Sequence, residues 1–398
     1  LGLAEVYSKA TKDNFLRGVM RNTKSWSVVN GDALDCARDV AGFLHDEFSQ
    51  DGADRIWSEE YLKWKLGDEN PAGSGYLSYA ISEGSIVGVA TLAKKRAIYN
   101  GQELVVVETG DTYTLSSIIR NGKPDQLSSL ESNPNSYVNK SIFGRLVSEN
   151  VHRAFLDGIQ IVYGTPNNNS LPGYIKRLKF LSHVQYGNTV NYRPSAQFLV
   201  KKYPLLSPFS TIFYILESSV FSLHSWTLRF WYGRNVQISI GVPDVDEINE
   251  LWASIKPSTG FSLTRDSEYW FHRYVKHPLV SYKFVGFRKN GMLVAMVVVR
   301  EFSYRKGRRV AAIVEHMSVQ EVSVVYLLSE VLNLIKNHSI DYYYYYSSAS
   351  GSALANAKKN FFFRHNPAPI VFEKSELSER ICQSNDNFEF HLGSSDAV

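Results

Sequence analysis

The sequence predicts an α/β (α+β) fold made of two similar domains in tandem, each a mixed, mostly antiparallel sheet flanked by helices. Three observations predict it. Short apolar runs rich in β-branched and aromatic residues alternate with stretches of helical period. An Asn-Gly pair at 100–101 joins two such runs, a strong hairpin signal. The order of elements in residues 25–200 recurs in 235–375, and 398 residues exceed one ordinary core.

Residues 1–24 read as a polar lead-in and 26–29 as a first strand. Apolar positions at helical spacing (Leu34, Ala37, Val40, Phe43, Leu44) predict a helix over 33–48. A second helix over 57–64 is closed by Asn70-Pro71-Ala72-Gly73. Strands follow at 76–81, 86–97 and 103–108. Ser, Asn, Pro and Gly dominate 112–137, which reads as a long surface loop. An amphipathic helix over 139–156 leads to a strand at 159–164, a Thr-Pro-Asn turn, and a helix with Asn167 to Asn169 as candidate N-caps. One or two final strands occupy 181–192. Residues 204–232 are strongly aromatic and interrupted by Glu217, His224 and Arg229. They are read as a buried linker helix, with a helix lying on a membrane surface as the alternative. The second half predicts strands at 236–240, 282–288, 293–304, 310–315 and 340–346, and helices at 245–255, 268–274, 322–335 and 353–359. Residues 376–398 form a tail.

Composition narrows the function. Lys and Arg exceed Asp and Glu by only 4, and no basic block resembles a nucleic-acid arm. Cys36 and Cys382 stand far apart without metal-ligand spacing, and the ten histidines form no metal triad. This cysteine usage fits a reducing cytoplasm, and no charged-then-apolar leader is read. Ser350-Gly351-Ser352 lacks the Gly-x-Ser-x-Gly elbow of a serine nucleophile.

The repetition can be counted. Glu60 and Glu268 are 208 apart, Pro71 and Pro278 207, Gly101 and Gly307 206, Glu108 and Glu315 207. Ile159 and Ile340, like Phe180 and Phe361, are 181 apart, so the offset falls by about the length of the 112–137 loop. Two copies of one unit, the first carrying an insertion, explain every offset. Asn167 answers to Ser348 and Tyr174 to Ala355, so the expectation is one working site, in the first copy.

Several segments together resemble the GNAT acyltransferase superfamily, in particular its two-domain bacterial branch associated with surface-polysaccharide biosynthesis. They are Tyr61-Leu62-Lys63-Trp64-Lys65 with Asn70-Pro71-Ala72-Gly73, Thr109-Gly110-Asp111-Thr112, Tyr137 through Phe143, Tyr163-Gly164-Thr165-Pro166-Asn167, and Pro172-Gly173-Tyr174. The resemblance implies that the fourth and fifth strands splay around the pantetheine arm of acyl-CoA, acetyl-CoA in the first instance, with no metal. It implies Glu108 and Asp111 as carboxylates near strand four and Tyr174 as the acid that returns a proton to the thiolate. It further implies cofactor contacts from Thr112, Asn139, Lys140, Ser141, Ile142, Phe143, Asn167 and Ser170. The branch has two glycines in the phosphate turn where this chain has Asn139 and Ser141. Taken without the resemblance, Glu108 and Asp111 also read as strand-end carboxylates, Tyr174 as a half-buried aromatic, and Asn167 as a plain helix cap.

The activity so implied is transfer of an acyl group from CoA to an amine, most concretely that of a nucleotide-linked amino sugar. The partners are then small molecules, with no nucleic acid and with peripheral membrane contact left open. Two other readings are an aminoacyl-tRNA-dependent peptidyl transferase and a non-catalytic member of a polysaccharide assembly complex.

Overall fold

Three hairpins organise the strands. Glu83-Gly84, Asn100-Gly101 and Asn290-Gly291 all take positive φ at both central residues, the turn geometry that matches the natural twist of paired strands. A computed structural model describes residues 25–48, 57–115, 123–125, 129–130, 133, 136–304, 307–337, 339–348, 351–364, 368–383 and 388–389. The lead-in 1–24, much of 112–137 and most of the C-terminal tail lie outside the described residues.

In chain order the first half contains β1 (Ser25–Gly31), α1 (Ala33–Phe48), α2 (Glu59–Leu66), β2 (Tyr76–Ser82), β3 (Ser85–Tyr99), β4 (Gln102–Thr114) and β5 (Lys123–Pro124). It continues with α3 (Tyr137–Lys140), α4 (Ile142–Leu156), β6 (Val162–Gly164), a wide helical turn (Gly173–Arg177) and β7 (Leu181–Pro194). The connection is α5 (Ala196–Lys202), a tight turn (Pro204–Phe209) and α6 (Ser210–Tyr232). The second half runs β8 (Val236–Ile240), α7 (Val245–Ile255), β9 (Phe261–Leu263), α8 (Ser267–Trp270), β10 (Lys283–Lys289), β11 (Met292–Tyr304), β12 (Arg308–Ser318) and α9 (Val324–Ile335). It ends with β13 (Tyr342–Ser348), α10 (Gly351–Lys359), β14 (Phe363–Arg364), β15 (Ala368–Phe372), α11 (Glu376–Gln383) and β16 (Phe388–Glu389).

The same antiparallel series, β1-β2-β3-β4 and β8-β10-β11-β12, appears once in each half, and each ends in a parallel partner, β6 or β13. The halves then exchange strands. β15, from the end of the second half, inserts between β6 and β7. The far end of β7, from the first half, lies beside β13 over Asn188 to Pro194. One sheet therefore runs through the whole molecule, and the closing strand of each half completes the other. β9 reinforces the join by pairing with β3.

Helix α4 covers one face of the first half because Ile142, Leu146, Val147, Val151 and Ala154 recur at helical spacing and bury against Val107, Val162 and Tyr174. In the second half, α9 packs Leu327, Leu328, Val331 and Leu332 on Val297, Val299 and Ile313.

Several expectations change: the helix expected over 139–156 is interrupted at Ser141, which is extended and caps α4, and residues 376–383 of the expected tail form α11 with Ser378 and Ile381 buried. The strand expected over 159–164 pairs only from Val162, although Ile159 and Ile161 are buried as core residues. The linker helix exists, but it is not buried. Only Phe221 and Ser225 of α6 reach the interior. One side of the helix suffices to dock on α9, and the aromatic residues on the other side face outward.

Candidate functional site

The site builds from the point where β4 and β6 part. They form three parallel pairs, Val107 with Val162, Glu108 with Tyr163 and Thr109 with Gly164. Past these, β4 continues beside β3, while β6 and its pairing with β4 end at Gly164. A Cβ on Gly164 would lie 2.1 Å from Thr109 Oγ1, so the last pair closes only because that side chain is absent. Just beyond, β4 carries one residue more than β3 between the pairs Thr91–Gly110 and Val89–Tyr113. Within this bulge Asp111 adopts φ +42°, an uncommon conformation for a residue with a side chain.

Strand alternation sorts the side chains. Val107 belongs to the core under α4 with Ile142 and Tyr174, and Thr109 shares that face. Glu108 faces the other way, on the side of Val106 and Tyr163 that meets β9. It is 3% exposed, and its Oε2 lies 4.0 Å from Lys95 Nζ. Asp111 is held by a short ion pair: its Oδ2 lies 2.8 Å from Lys65 Nζ, with the two side chains only 6% and 2% exposed. Thr91 Oγ1 donates to the same oxygen at 3.3 Å.

Tyr174 sits in the wide helical turn, buried, with Phe143 and Phe180 edge-on at 5.2 and 5.1 Å. Its hydroxyl contacts Thr109 and Thr112, and burial raises its pKa, so the phenol keeps its proton. Thr112 Oγ1 also donates to the Gly110 carbonyl at 3.1 Å.

The turn before α4 is held by its own side chains. Ser136 Oγ accepts from the Asn139 N–H, and buried Asn139 donates through Nδ2 to the Asn133 carbonyl. Ser141 caps α4 by accepting from the Gly144 N–H at 3.3 Å. Ile142 is in the core, Phe143 packs on Tyr174, and Lys140 is exposed. Asn167 Oδ1 accepts from the Asn169 and Ser170 N–H groups at 2.9 and 3.0 Å, the bonding of a helix cap. Ser170 Oγ lies 3.2 Å from that same oxygen.

The structure thus gathers Thr112, Phe143 and Tyr174 on the α4 side and leaves Glu108 on the opposite side of the sheet. Parity along β4 contained this signal, since adjacent residues of a strand face opposite ways. Sequence reasoning gave no site role to Lys65 and Thr109, which it named only within motifs, or to Lys95. It also missed a cleft on the Glu108 side, where Lys94, Lys95 and Arg96 meet Tyr269, His272 and Arg273 of the second half. Trp64 anchors that boundary. Its Nε1 donates to the His272 carbonyl at 2.9 Å, and its ring stacks on His272 at 5.0 Å.

The corresponding place in the second half is closed. Glu315 is fully buried, its Oε2 accepting from Tyr269 at 2.8 Å and from Tyr274, with Arg265 at 3.9 Å. Burial raises the pKa of all three acids, the two tyrosines well above their usual range. Two phenols thus take up the hydrogen bonding of Glu315 Oε2.

No family profile and no curated protein matches the chain in sequence. Solved structures do match in shape. An Enterococcus faecalis protein described as a probable N-acyltransferase aligns at TM-score 0.54 and 9% identity, over 89% of this chain and 74% of its own. A GCN5-related N-acetyltransferase from Anabaena variabilis aligns at 0.53 and 10%, over 87% and 72%. Saccharomyces cerevisiae N-myristoyltransferase, solved with myristoyl-CoA bound, aligns at 0.52 and 10%, over 89% and 83%. The fold is that of the GCN5-related N-acetyltransferases.

Proposed function

We propose that this chain is an acyl-CoA-dependent N-acyltransferase whose chemistry resides in the first half. The observation that carries the reading is the parting of β4 from β6 beyond Thr109 and Gly164, with the Tyr174 hydroxyl resting on the β4 edge. The first turn of α4 fits the phosphates of the cofactor, with Lys140 available to them.

In this reading the amine reaches the wedge from the cleft beside Lys95. Glu108, directly or through water, accepts the proton that the attacking nitrogen must lose. Backbone N–H groups at the bulge polarise the thioester carbonyl as negative charge develops on its oxygen. A new C–N bond forms, the C–S bond breaks, and Tyr174 returns a proton to the departing thiolate. Asp111 holds the bulge in place through Lys65. The acceptor we propose is the amino group of a nucleotide-linked sugar for surface polysaccharide, in the cytoplasm where acyl-CoA is available. The reading takes 25–200 as the acyl-CoA domain, 201–234 as the connection, and 235–375 as a copy whose carboxylate, Glu315, has become structural.

Incubation with acetyl-CoA and longer acyl-CoAs, a panel of amino sugars and a thiol reagent tests this. Acceptor-dependent CoA release that falls by about a hundredfold in Glu108→Gln is expected. Absence of release across the panel, with no acyl-CoA binding by calorimetry, would remove the proposal.

A further inference from the structure

Helix α6 and the turn before it form an outward apolar ridge. Pro204–Tyr232 is long and apolar, with mean hydropathy 1.2 over its most apolar window and only 6% of that window buried. Ile212, Leu216, Leu223, Trp226 and Phe230, spaced four, seven, three and four residues apart, share the solvent side, each more than half exposed, and Leu205 is 91% exposed. At about 100 Å² per side chain these six residues alone present on the order of 600 Å². The largest apolar patch of an ordinary monomer is roughly 300–600 Å².

Charge decides what covers it. The single acidic residue between 201 and 236 is Glu217, turned inward to accept from the Ala196 N–H. Lys201 and Lys202 stand at one end of the ridge and Arg229 and Arg234 at the other. The acids that pair with two of these cations, Asp341 with Lys201 and Glu330 with Arg229, are themselves buried. The outer surface is therefore uncharged and largely apolar along its length and cationic at both ends, with Tyr203, Trp231 and Tyr232 beside the cations. A helix that pairs with a second copy as a coiled coil commonly carries Glu and Lys along the flanks of its seam, and residues 201–236 hold Glu217 as their one acid. Basic ends and amphipathic aromatic rings suit an anionic lipid interface. The inner side stays attached to the protein: Phe221 packs edge-on to Tyr343 at 5.5 Å, Ser225 donates to Glu330 at 2.8 Å, and Arg229 meets Glu330 at 2.6 Å. The helix consequently lies in the plane of the surface and does not cross it.

We infer that α6 docks this protein onto an anionic membrane surface, its apolar ridge entering the headgroup boundary and Lys201, Lys202 and Arg234 meeting acidic headgroups. The inference is independent of the proposed acyl transfer. Flotation of the full chain with vesicles of equal parts phosphatidylglycerol and phosphatidylcholine, against phosphatidylcholine alone, tests it. Binding at least about tenfold tighter to the anionic vesicles, weakened by salt, is expected. Leu216→Gln with Leu223→Gln and Phe230→Gln should abolish it with unchanged circular dichroism, and Lys201→Gln with Lys202→Gln and Arg234→Gln should erase the lipid preference. Equal or absent partitioning overturns the inference. So does a lipid-free dimer by sedimentation equilibrium that the triple glutamine variant dissolves, which would assign the ridge to a second copy.

Discussion

Replacing Asp111 by Asn tests the buried ion pair without disturbing its backbone, because Asn tolerates positive φ. Lys65 Nζ lies 2.8 Å from Asp111, and at 2% and 6% exposure solvent cannot compensate a lost charge. Gly110 lets the ammonium through, since a Cβ there would sit 2.7 Å from it. Leaving one buried charge unmatched costs about 3–5 kcal/mol, whereas removing both can be neutral. Asp111→Asn should therefore lower unfolding free energy by about 3 kcal/mol, and Lys65→Met with Asp111→Asn should recover most of it. Urea denaturation at pH 7, followed by tryptophan fluorescence and circular dichroism, measures both. A loss below about 1 kcal/mol in the single variant, or no recovery in the double, would refute the reasoning. The same variants separate a structural Asp111 from a catalytic one. Activity should return with stability in the double variant, and a stable but inactive double would make Asp111 part of the chemistry.

Other outcomes follow from the same geometry. Gly164→Ala should reduce kcat/KM by more than about tenfold by displacing Thr109, and adding Thr109→Ala should restore part of it. Tyr174→Phe should lower kcat by about a hundredfold with little change in KM, read from the CoA-release assay. His316 is half-buried, and desolvation with Arg265 nearby pushes its pKa down to about 4, so the folded form resists a proton that the unfolded chain accepts near 6.5. Its contribution is complete above pH 6.5 and lost as the pH falls towards 4. A His316→Phe variant should show a flatter fall over that window, by up to about 3 kcal/mol, in urea midpoints taken at stepped pH. Residues 25–200 expressed alone should not give a cooperative unfolding transition, because β15 is missing from between β6 and β7; co-expression with 201–398 should restore one.

Local chemistry made much of the fold legible. Asn-Gly at 100–101 announced its hairpin, and Leu146, Val147, Val151 and Ala154 announced the covered face of α4. Which sheet receives a strand is a different matter. The run Ala368–Phe372 is short and apolar, and nothing within it distinguishes β6 from β13 as a neighbour. The partnership of Lys65 with Asp111 spans 46 residues and depends on a bulge that no pattern of hydrophobicity encodes. The aromatic content of 204–232 suggested burial because apolar residues usually pack inward; its uncharged outer arc was the contrary sign. At the site, residue types were readable, but the opposite orientation of Glu108 and Tyr174 required the register of β4.

The strand exchange has a consequence for biogenesis. Until a ribosome has released residue 372, the first half has a sheet with an open seam beside β6, at the edge where its chemistry is proposed. Emerging chains must tolerate that seam until β15 is made, which exposes them to chaperones and to mispairing between neighbouring nascent copies. Any truncation before β15 would then leave the upstream sheet without the strand that sits between β6 and β7.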